Sequence, residues 1–301
     1  MESITTKGLS YTIGHKTILN DISLHVPEGS IYGYLGRNGA GKSTTIKLLL
    51  GLLEESGDHI LIQGKSLKHN RTEILSETGN LIESPCFYTK LTVSENLKYL
   101  DIIYGKGSKR IEEVLEMVDL HREKKKKASA LSMGMKQRLG IAMAIFHDPK
   151  LLILDEPLNG LDPQGIFEMR KLFQYLNEQG KTIFLSSHIL SELEKTATHI
   201  GILEGGKMIF EGTKNELLSQ VEREIIIKTN LPDKAISVLN ESSFPVSESG
   251  PGKIAVKIND DQAFHILLKT LIENGIEIYE IDSQSANLER IFINLISKNH
   301  D

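Results

Sequence analysis

"GRNGAGKST", residues 36–44, decides the fold. The stretch fits the pattern Gly, four free positions, Gly, Lys, then Ser or Thr, through Gly36, Gly41, Lys42 and Ser43. Glycines let such a loop wrap until successive backbone N–H groups face one point, and the N-terminus of a following helix favours an anion there. The flanks supply both elements: "SIYGYLG" reads as a strand ending in glycine, and "KSTTIKLLLGLL" reads as helical. Lys42 would reach the terminal phosphates of a nucleotide, and the Ser43 hydroxyl would ligate Mg²⁺. The candidate cradle is therefore the whole loop: Gly36, Arg37, Asn38, Gly39, Ala40, Gly41, Lys42, Ser43 and Thr44. A mere glycine-rich turn with a surface lysine would not need strand, loop and helix in this order.

"LLILDEPLNGLD", residues 151–162, carries the chemistry forward. A continuous apolar run of this kind suits a parallel strand buried on both faces. It runs straight into Asp155 and Glu156, although desolvating an unpaired carboxylate is costly. In open α/β sheets ligands sit beyond the carboxyl ends of the strands. Asp155 is thus expected at a phosphate–Mg²⁺ site, as a metal-holding acid. Glu156 is expected to polarise an attacking water.

Working outward, strands are expected at "SITTKGLSYT", "KTILNDISLHV", "HILIQG" and "KTIFLSS", with a hairpin in "IGILEGGKMIFEG" around Gly205 and Gly206. Residues from about 88 to 147 read as helical, in "TVSENLKYLDIIYG", "RIEEVLEMVDL" and "SMGMKQRLGIAMAIFH". Strands alternating with helices imply an α/β fold with a mostly parallel sheet and a helical insert. Beyond residue 220 the texture changes to strand, helix, strand, helix, strand, helix, ending in "LERIFINLI", with the loop "SESGPGK" in the middle. This predicts a small α+β domain over residues 221–301, with a ferredoxin-like arrangement as one option. It holds no catalytic constellation.

The chain has 301 residues, 40% hydrophobic and 25% charged, enough for a main domain plus a small one. A net charge of −5 gives no basic field for nucleic acid, and the run Lys124 to Lys127 reads as a solvated helix end or loop. Cys86 is the lone cysteine, which excludes an internal disulfide and suits a reducing cytosol. The start "MESITTKG" lacks the layout of a signal peptide, and no apolar run approaches the ~18 residues of a membrane helix. Any membrane role is expected to come through a partner.

Three further stretches narrow the class: "LSMGMKQRL" at 131–139, "NGLDP" at 159–163, and His188 closing "TIFLSSH". With these the chain resembles the ATP-binding cassette (ABC) ATPases over residues 1–220. The resemblance implies a P-loop, RecA-like core with an antiparallel β subdomain and a helical subdomain. It implies that Tyr11 stacks on adenine and that Ser132 and Gly134 bind the γ-phosphate held by the other subunit. It also puts Asp162 near the dimer seam and makes His188 a γ-phosphate sensor. Locally, Ser132 is a good N-cap, so free N–H groups would face outward, while Leu139, Ala142, Met143 and Phe146 follow helical spacing on the anchoring side. A helix end offering phosphate donors with no phosphate in its own chain needs a partner. The expected assembly is a head-to-tail homodimer with two shared ATP molecules.

The usual signature Leu-Ser-Gly-Gly-Gln reads Leu-Ser-Met-Gly-Met here, and Glu83 stands where a glutamine is usual. Both departures resemble the bacitracin-resistance and lantibiotic-immunity branch of the family. Met135 loses the polar group of glutamine. Glu83, a harder ligand than an amide, is expected within reach of the Mg²⁺–water site and to couple nucleotide state to a permease. The resemblance implies an ATPase subunit at the cytoplasmic face of the membrane. With a separate permease it would expel an antimicrobial peptide. Export of another drug or lipid-like cargo stays open, as does a soluble ABC ATPase acting on ribosomes or DNA. The latter commonly carries two cassettes or coiled-coil inserts, whereas this chain shows one P-loop and no heptad array.

Overall fold

A computed structural model describes residues 1–219, 223–258, 261–284, 291, 292 and 295. The chain divides into two compact units, Met1–Lys214 and Asn215–Asp301. The boundary expected at 220/221 lies outside the described residues.

The first unit contains two sheets. Strands β1 (Glu2–Ile13) and β2 (Lys16–Pro27) form a long antiparallel hairpin, and its apolar positions Ile4, Leu9, Leu19, Ile22, Leu24 and Val26 are fully buried. The second sheet begins with β3 (Ile31–Gly36), and α1 (Lys42–Leu49) follows the glycine-rich loop. Strands β4 (Ile60–Ile62) and β5 (Lys65–Ser66) complete the antiparallel sheet, in the order β2-β1-β4-β5. Helix α2 (Leu67–Ser76), kinked at Asn70, leads to β6 (Thr78–Leu81).

The helical insert follows: α3 (Val93–Tyr104), α4 (Gly107–Met117) and α5 (Met133–Ile145). A capping box starts α3: the Thr92 hydroxyl accepts from the Glu95 N–H while the Glu95 carboxylate accepts from the Thr92 N–H. Helix α5 returns to the sheet against β6, where bare glycine surface permits the approach. A Cβ on Gly140 would lie 2.7 Å from Pro85, and one on Gly79 would collide with the Ala144 carbonyl.

Strand β7 (Leu151–Leu154) is buried at every position, as its unbroken apolar run requires. Helix α6 (Pro163–Glu178), β8 (Thr182–Ser187), α7 (Leu190–Thr196), β9 (His199–Glu204) and β10 (Lys207–Thr213) complete the unit. The six-stranded order is β10-β9-β3-β8-β7-β6, with only β10 antiparallel to its neighbour. The carboxyl ends of β3, β6, β7 and β8 therefore open on one side. Gly205 and Gly206, both at positive φ, make the β9–β10 turn.

Helix α8 (Lys214–Ser219) begins at the last residue of the first unit, and the second unit continues with β11 (Arg223–Thr229), α9 (Pro232–Glu241), β12 (Val246–Glu248), β13 (Lys253–Ile258), α10 (Asp261–Glu273) and β14 (Ile278–Gln284). The sheet order β12-β13-β11-β14, antiparallel throughout, is the ferredoxin-like βαββαβ pattern. Ile225, Ile227, Leu239, Ile254, Val256, Leu267 and Leu271 form its own core. The expected loop 247–253 is in fact a tight hairpin whose first strand is β12. The expected last helix, 288–296, lies for the most part outside the described residues.

Candidate active site

The loop from Gly36 to Gly41 has the shape its glycines predict. A Cβ on Gly36 would lie 2.6 Å from the Leu203 carbonyl, and one on Gly41 would lie 2.6 Å from Leu19 Cδ2. The loop is braced from behind: the Gly206 N–H donates to the Ala40 carbonyl at 3.1 Å, and the Asn20 N–H donates to the Gly206 carbonyl at 2.8 Å. Gly41, at φ 115, is the N-cap of α1, and neither a side-chain cap nor an acidic residue occupies the first turn. The first N–H groups of α1 thus point out of the loop with the positive end of the helix dipole behind them.

Lys42 is 6% exposed. Its ammonium donates to the carbonyls of Gly36 (2.7 Å) and Arg37 (3.3 Å) and stands 3.6 Å from Glu156 Oε1. Buried lysine needs such partners; two are carbonyls of the loop and the third is the strand-end acid opposite, so the ammonium is held between the loop and Glu156. Arg37, Asn38 and Gly39 are exposed at the rim, while Ser43 and Thr44 are half-buried in the first turn of α1.

Across from the loop, β7 ends at Leu154, ahead of both acids. Asp155 is 2% exposed; its N–H donates to the Leu81 carbonyl of β6 (2.7 Å), and its Oδ1 accepts from the Ser186 hydroxyl (2.5 Å). The same hydroxyl accepts from the Glu156 N–H at 2.9 Å. Glu156 sits in left-handed backbone, φ 48, which re-aims its carboxylate out of the sheet plane. One of its oxygens faces Lys42, and the other is 2.9 Å from His188 Nδ1. Lys42, Asp155, Glu156 and His188 are thus gathered at the carboxyl ends of three adjacent strands.

Two members of this site had no motif to announce them. Ser186 is a hydroxyl inside an apolar strand, and only its place before His188 hinted at it. Gln137, buried on α5, donates to the carbonyls of Pro157 (3.0 Å) and Glu156 (3.3 Å). No periodicity signalled Gln137: it lies on the side of α5 opposite Leu139, Ala142 and Phe146, and is buried because that side meets the 156–157 segment.

The remaining residues are held apart from this centre by their own contacts. Tyr11 pairs with Leu19 across the β1–β2 hairpin, half-buried, and Leu19 in turn backs Gly41. Ser132 is exposed as the N-cap of α5 and accepts from the Met135 N–H at 3.3 Å. Leu139, Ala142 and Phe146 are buried on its anchoring side. Gly134 passes over Gly160, whose missing side chain leaves room for the sulfur of Met133. Asp162 caps α6, accepting from the Gly165 N–H at 2.8 Å. Glu83, at φ 54, forms an ion pair with Lys47 at 2.6 Å.

A glycine cradle on a helix N-terminus, a buried lysine and a strand-end acid pair define a P-loop nucleotide hydrolase. The chain belongs to the ABC transporter family, whose model matches residues 19–159. The bacitracin transport ATP-binding protein BcrA of Enterococcus faecalis is 42% identical over 97% of this chain and 96% of its own. The lantibiotic transport ATP-binding protein SrtF of Streptococcus pyogenes is 41% identical over 68% of this chain and 88% of its own. A dimeric ATP-binding cassette solved in a post-hydrolysis state with ADP and phosphate is 25% identical, with a TM-score of 0.64 over 70% of this chain and 98% of that one. The chain is an ATP-hydrolysing cassette of an ABC transporter. Among the described residues no helix is long and apolar enough to cross a membrane.

Proposed function

We propose that this chain powers an exporter of antimicrobial peptides of the bacitracin or lantibiotic type, as a homodimer at the cytoplasmic face of a separate permease. The observation that carries the catalytic part is the line of contacts from Lys42 to Glu156 to His188 at the mouth of the cradle. Lys42 exchanges its backbone carbonyls for the β- and γ-phosphate oxygens, and the first N–H groups of α1 hold the same phosphates. Glu156 takes the proton of the attacking water, with His188 fixing the orientation of the carboxylate. The ring of Tyr11 stacks on adenine beside the loop.

The donor set fits Mg²⁺. Asp155 is a buried carboxylate whose hydrogen-bond partner is the Ser186 hydroxyl, with no cation in ion-pair reach among the described residues. Such a group is costly without a countercharge. Asp155 and the Ser43 hydroxyl would hold the ion, with Glu83 as a further acid. Bound there, the ion would supply countercharge to the nucleotide phosphates.

Ser132 and Gly134 face away on α5, so each is proposed to serve the nucleotide of the partner subunit, with Asp162 at the seam. Cargo and direction rest on the relatives named above, together with the Glu83 and Met135 departures. A cavity of about 290 Å³ beside Glu83, lined by Leu81, Cys86, Leu100, Tyr104 and Met143, is a place for the permease to engage.

Glu156→Gln tests the assignment. The amide keeps the shape and loses the base, so MgATP still binds, turnover falls about 10²- to 10⁴-fold, and sedimentation shows an ATP-bound dimer. Cells given the chain with its permease should tolerate more bacitracin or lantibiotic, and cells given Glu156→Gln should not. Wild-type turnover in that variant would remove Glu156 from the chemistry. A strictly monomeric, active wild-type protein would remove the shared sites.

A further inference from the structure

Lys47 lies one helical turn beyond Ser43 on α1, so both side chains leave the same face of the helix. Its ammonium meets Glu83 Oε1 at 2.6 Å. Glu83 in turn stands two residues past β6, whose end is in register with β7: Leu81 pairs with Leu154 and accepts from the Asp155 N–H. Glu83 and the two acids of the site therefore leave the sheet side by side. On the other side, Ile82, Ser84 and Cys86 line the 290 Å³ cavity. Pro85 packs on Gly140 of α5, where a Cβ would come within 2.7 Å. The segment 82–86 thus touches the metal side, the cavity and the signature helix at once.

Glu83 is held at φ 54, a conformation that non-glycine residues keep only where their surroundings fix it. The Lys47 contact is the fixing contact visible here. Side-chain exposures of 33% for Lys47 and 61% for Glu83 make it a wet pair, weak enough to exchange. The Glu83 oxygen engaged by the Lys47 ammonium is withheld from a metal on the Ser43 side while that contact lasts.

We propose that Lys47 is a positioning residue, a latch that holds Glu83 off the magnesium position while the cassette is empty. When MgATP loads, Glu83 leaves Lys47 for that position, and the wall of the cavity formed by 82–86 shifts with it. The inference rests on the reading above that Ser43, Asp155 and Glu83 serve the metal.

The experiment uses the full chain and a fluorescent, non-hydrolysable ATP analogue titrated with Mg²⁺. In Lys47→Ala the Mg²⁺ midpoint for analogue binding falls about two- to fivefold, the range a wet ion pair supports. Lys47→Arg keeps the wild-type midpoint, and Lys47→Ala has no effect in a Glu83→Gln background. Cys86, the lone cysteine and exposed, gives a second readout without activity. Its reaction rate with a thiol dye changes on MgATP-analogue binding in the wild type, and in empty Lys47→Ala it already stands at the nucleotide-bound value. An unmoved midpoint in Lys47→Ala, an equal shift in the Glu83→Gln background, or a Cys86 rate blind to Lys47 would overturn the latch. Analogue binding that ignores Mg²⁺ in the wild type would instead sink the metal reading beneath it.

Discussion

Replacing Gly41 with alanine asks how much of the cradle is enforced by shape, because the position is closed to a side chain twice over. Its φ is 115, and L-residues held in such sparsely populated regions cost of order 1–3 kcal/mol. The new Cβ would also stand 2.6 Å from Leu19 Cδ2, with the Ile18 carbonyl and Leu203 Cδ2 each 3.3 Å away. Leu19 is fully buried, so it has no solvent to swing into. Overpacking of this kind costs about 1–3 kcal/mol more. Together that is about 2–6 kcal/mol, a large share of the 5–15 kcal/mol typical of a folded domain. The loop can relieve the strain only by rotating residue 41, which turns the first N–H groups of α1 away from the phosphates. The expected result is a loss of at least about 2 kcal/mol, divided between folding stability and a weaker nucleotide Kd, where each 1.4 kcal/mol is about tenfold in Kd. Urea unfolding and calorimetric titration with a non-hydrolysable analogue measure the two parts.

Gly39→Ala is the internal control. It too has positive φ (83), but nothing lies within 4 Å of its Cβ position. It should carry the backbone cost alone and lose less than Gly41→Ala. Equal losses in the two variants would refute the packing argument. Wild-type stability and affinity in Gly41→Ala would refute the cradle geometry itself.

Ser186→Ala strands a buried carboxylate oxygen of Asp155 and the Glu156 N–H together, so it should lower stability by about 1–3 kcal/mol and reduce turnover, read by thermal melts and ATPase rate. His147, buried and stacked on Tyr104 at 4.5 Å, has its pKa pushed below the ordinary imidazole value, first by desolvation and then by the Lys106 charge. Below about pH 6.5 the unfolded chain takes a proton that the folded chain refuses, so His147 costs stability increasingly until its lowered folded value is reached. His147→Phe should therefore lose less stability than wild type between pH 7 and pH 5 in urea melts (both values about the ordinary imidazole range), and an identical pH slope would contradict this.

The parts legible in the sequence were those decided by neighbours along the chain. The glycine loop, the all-apolar β7 run, the Gly205–Gly206 hairpin and the N-cap at Ser132 each state their geometry within a few residues. Strand β6 did not: "TGNL" has no apolar run, and its pairing with Leu151–Leu154 makes it a strand. Helix α6 carried a legible start in Asp162 and Pro163 but was eclipsed by the motif around it. Ser186, Gln137 and the Lys47–Glu83 pair were illegible for a different reason. Periodicity tells which face of an element turns inward, but not which loop that face meets; Lys47 and Glu83 are 36 positions apart. The aim of the Glu156 carboxylate was illegible too, because the strand has already ended at Leu154 and Glu156 takes a left-handed backbone conformation.

The fastening of α5 gives the dimer reading a mechanical consequence. Gln137 is buried with its amide on the carbonyls of Glu156 and Pro157, so sliding α5 away from them would leave buried polar groups unpaired. One residue on, Arg138 donates to the Val118 carbonyl at the end of α4 and to Glu168 of α6 at 2.7 Å. The second turn of the signature helix is thus pinned to the segment that carries Glu156, with Met133 of the first turn seated over Gly160 as a further contact. In the proposed dimer Ser132 serves the partner's nucleotide while Glu156 serves its own. Both then ride on elements joined by the Gln137 and Arg138 hydrogen bonds. In that dimer, occupancy of the partner's pocket would reach Glu156 through the Gln137 and Arg138 contacts.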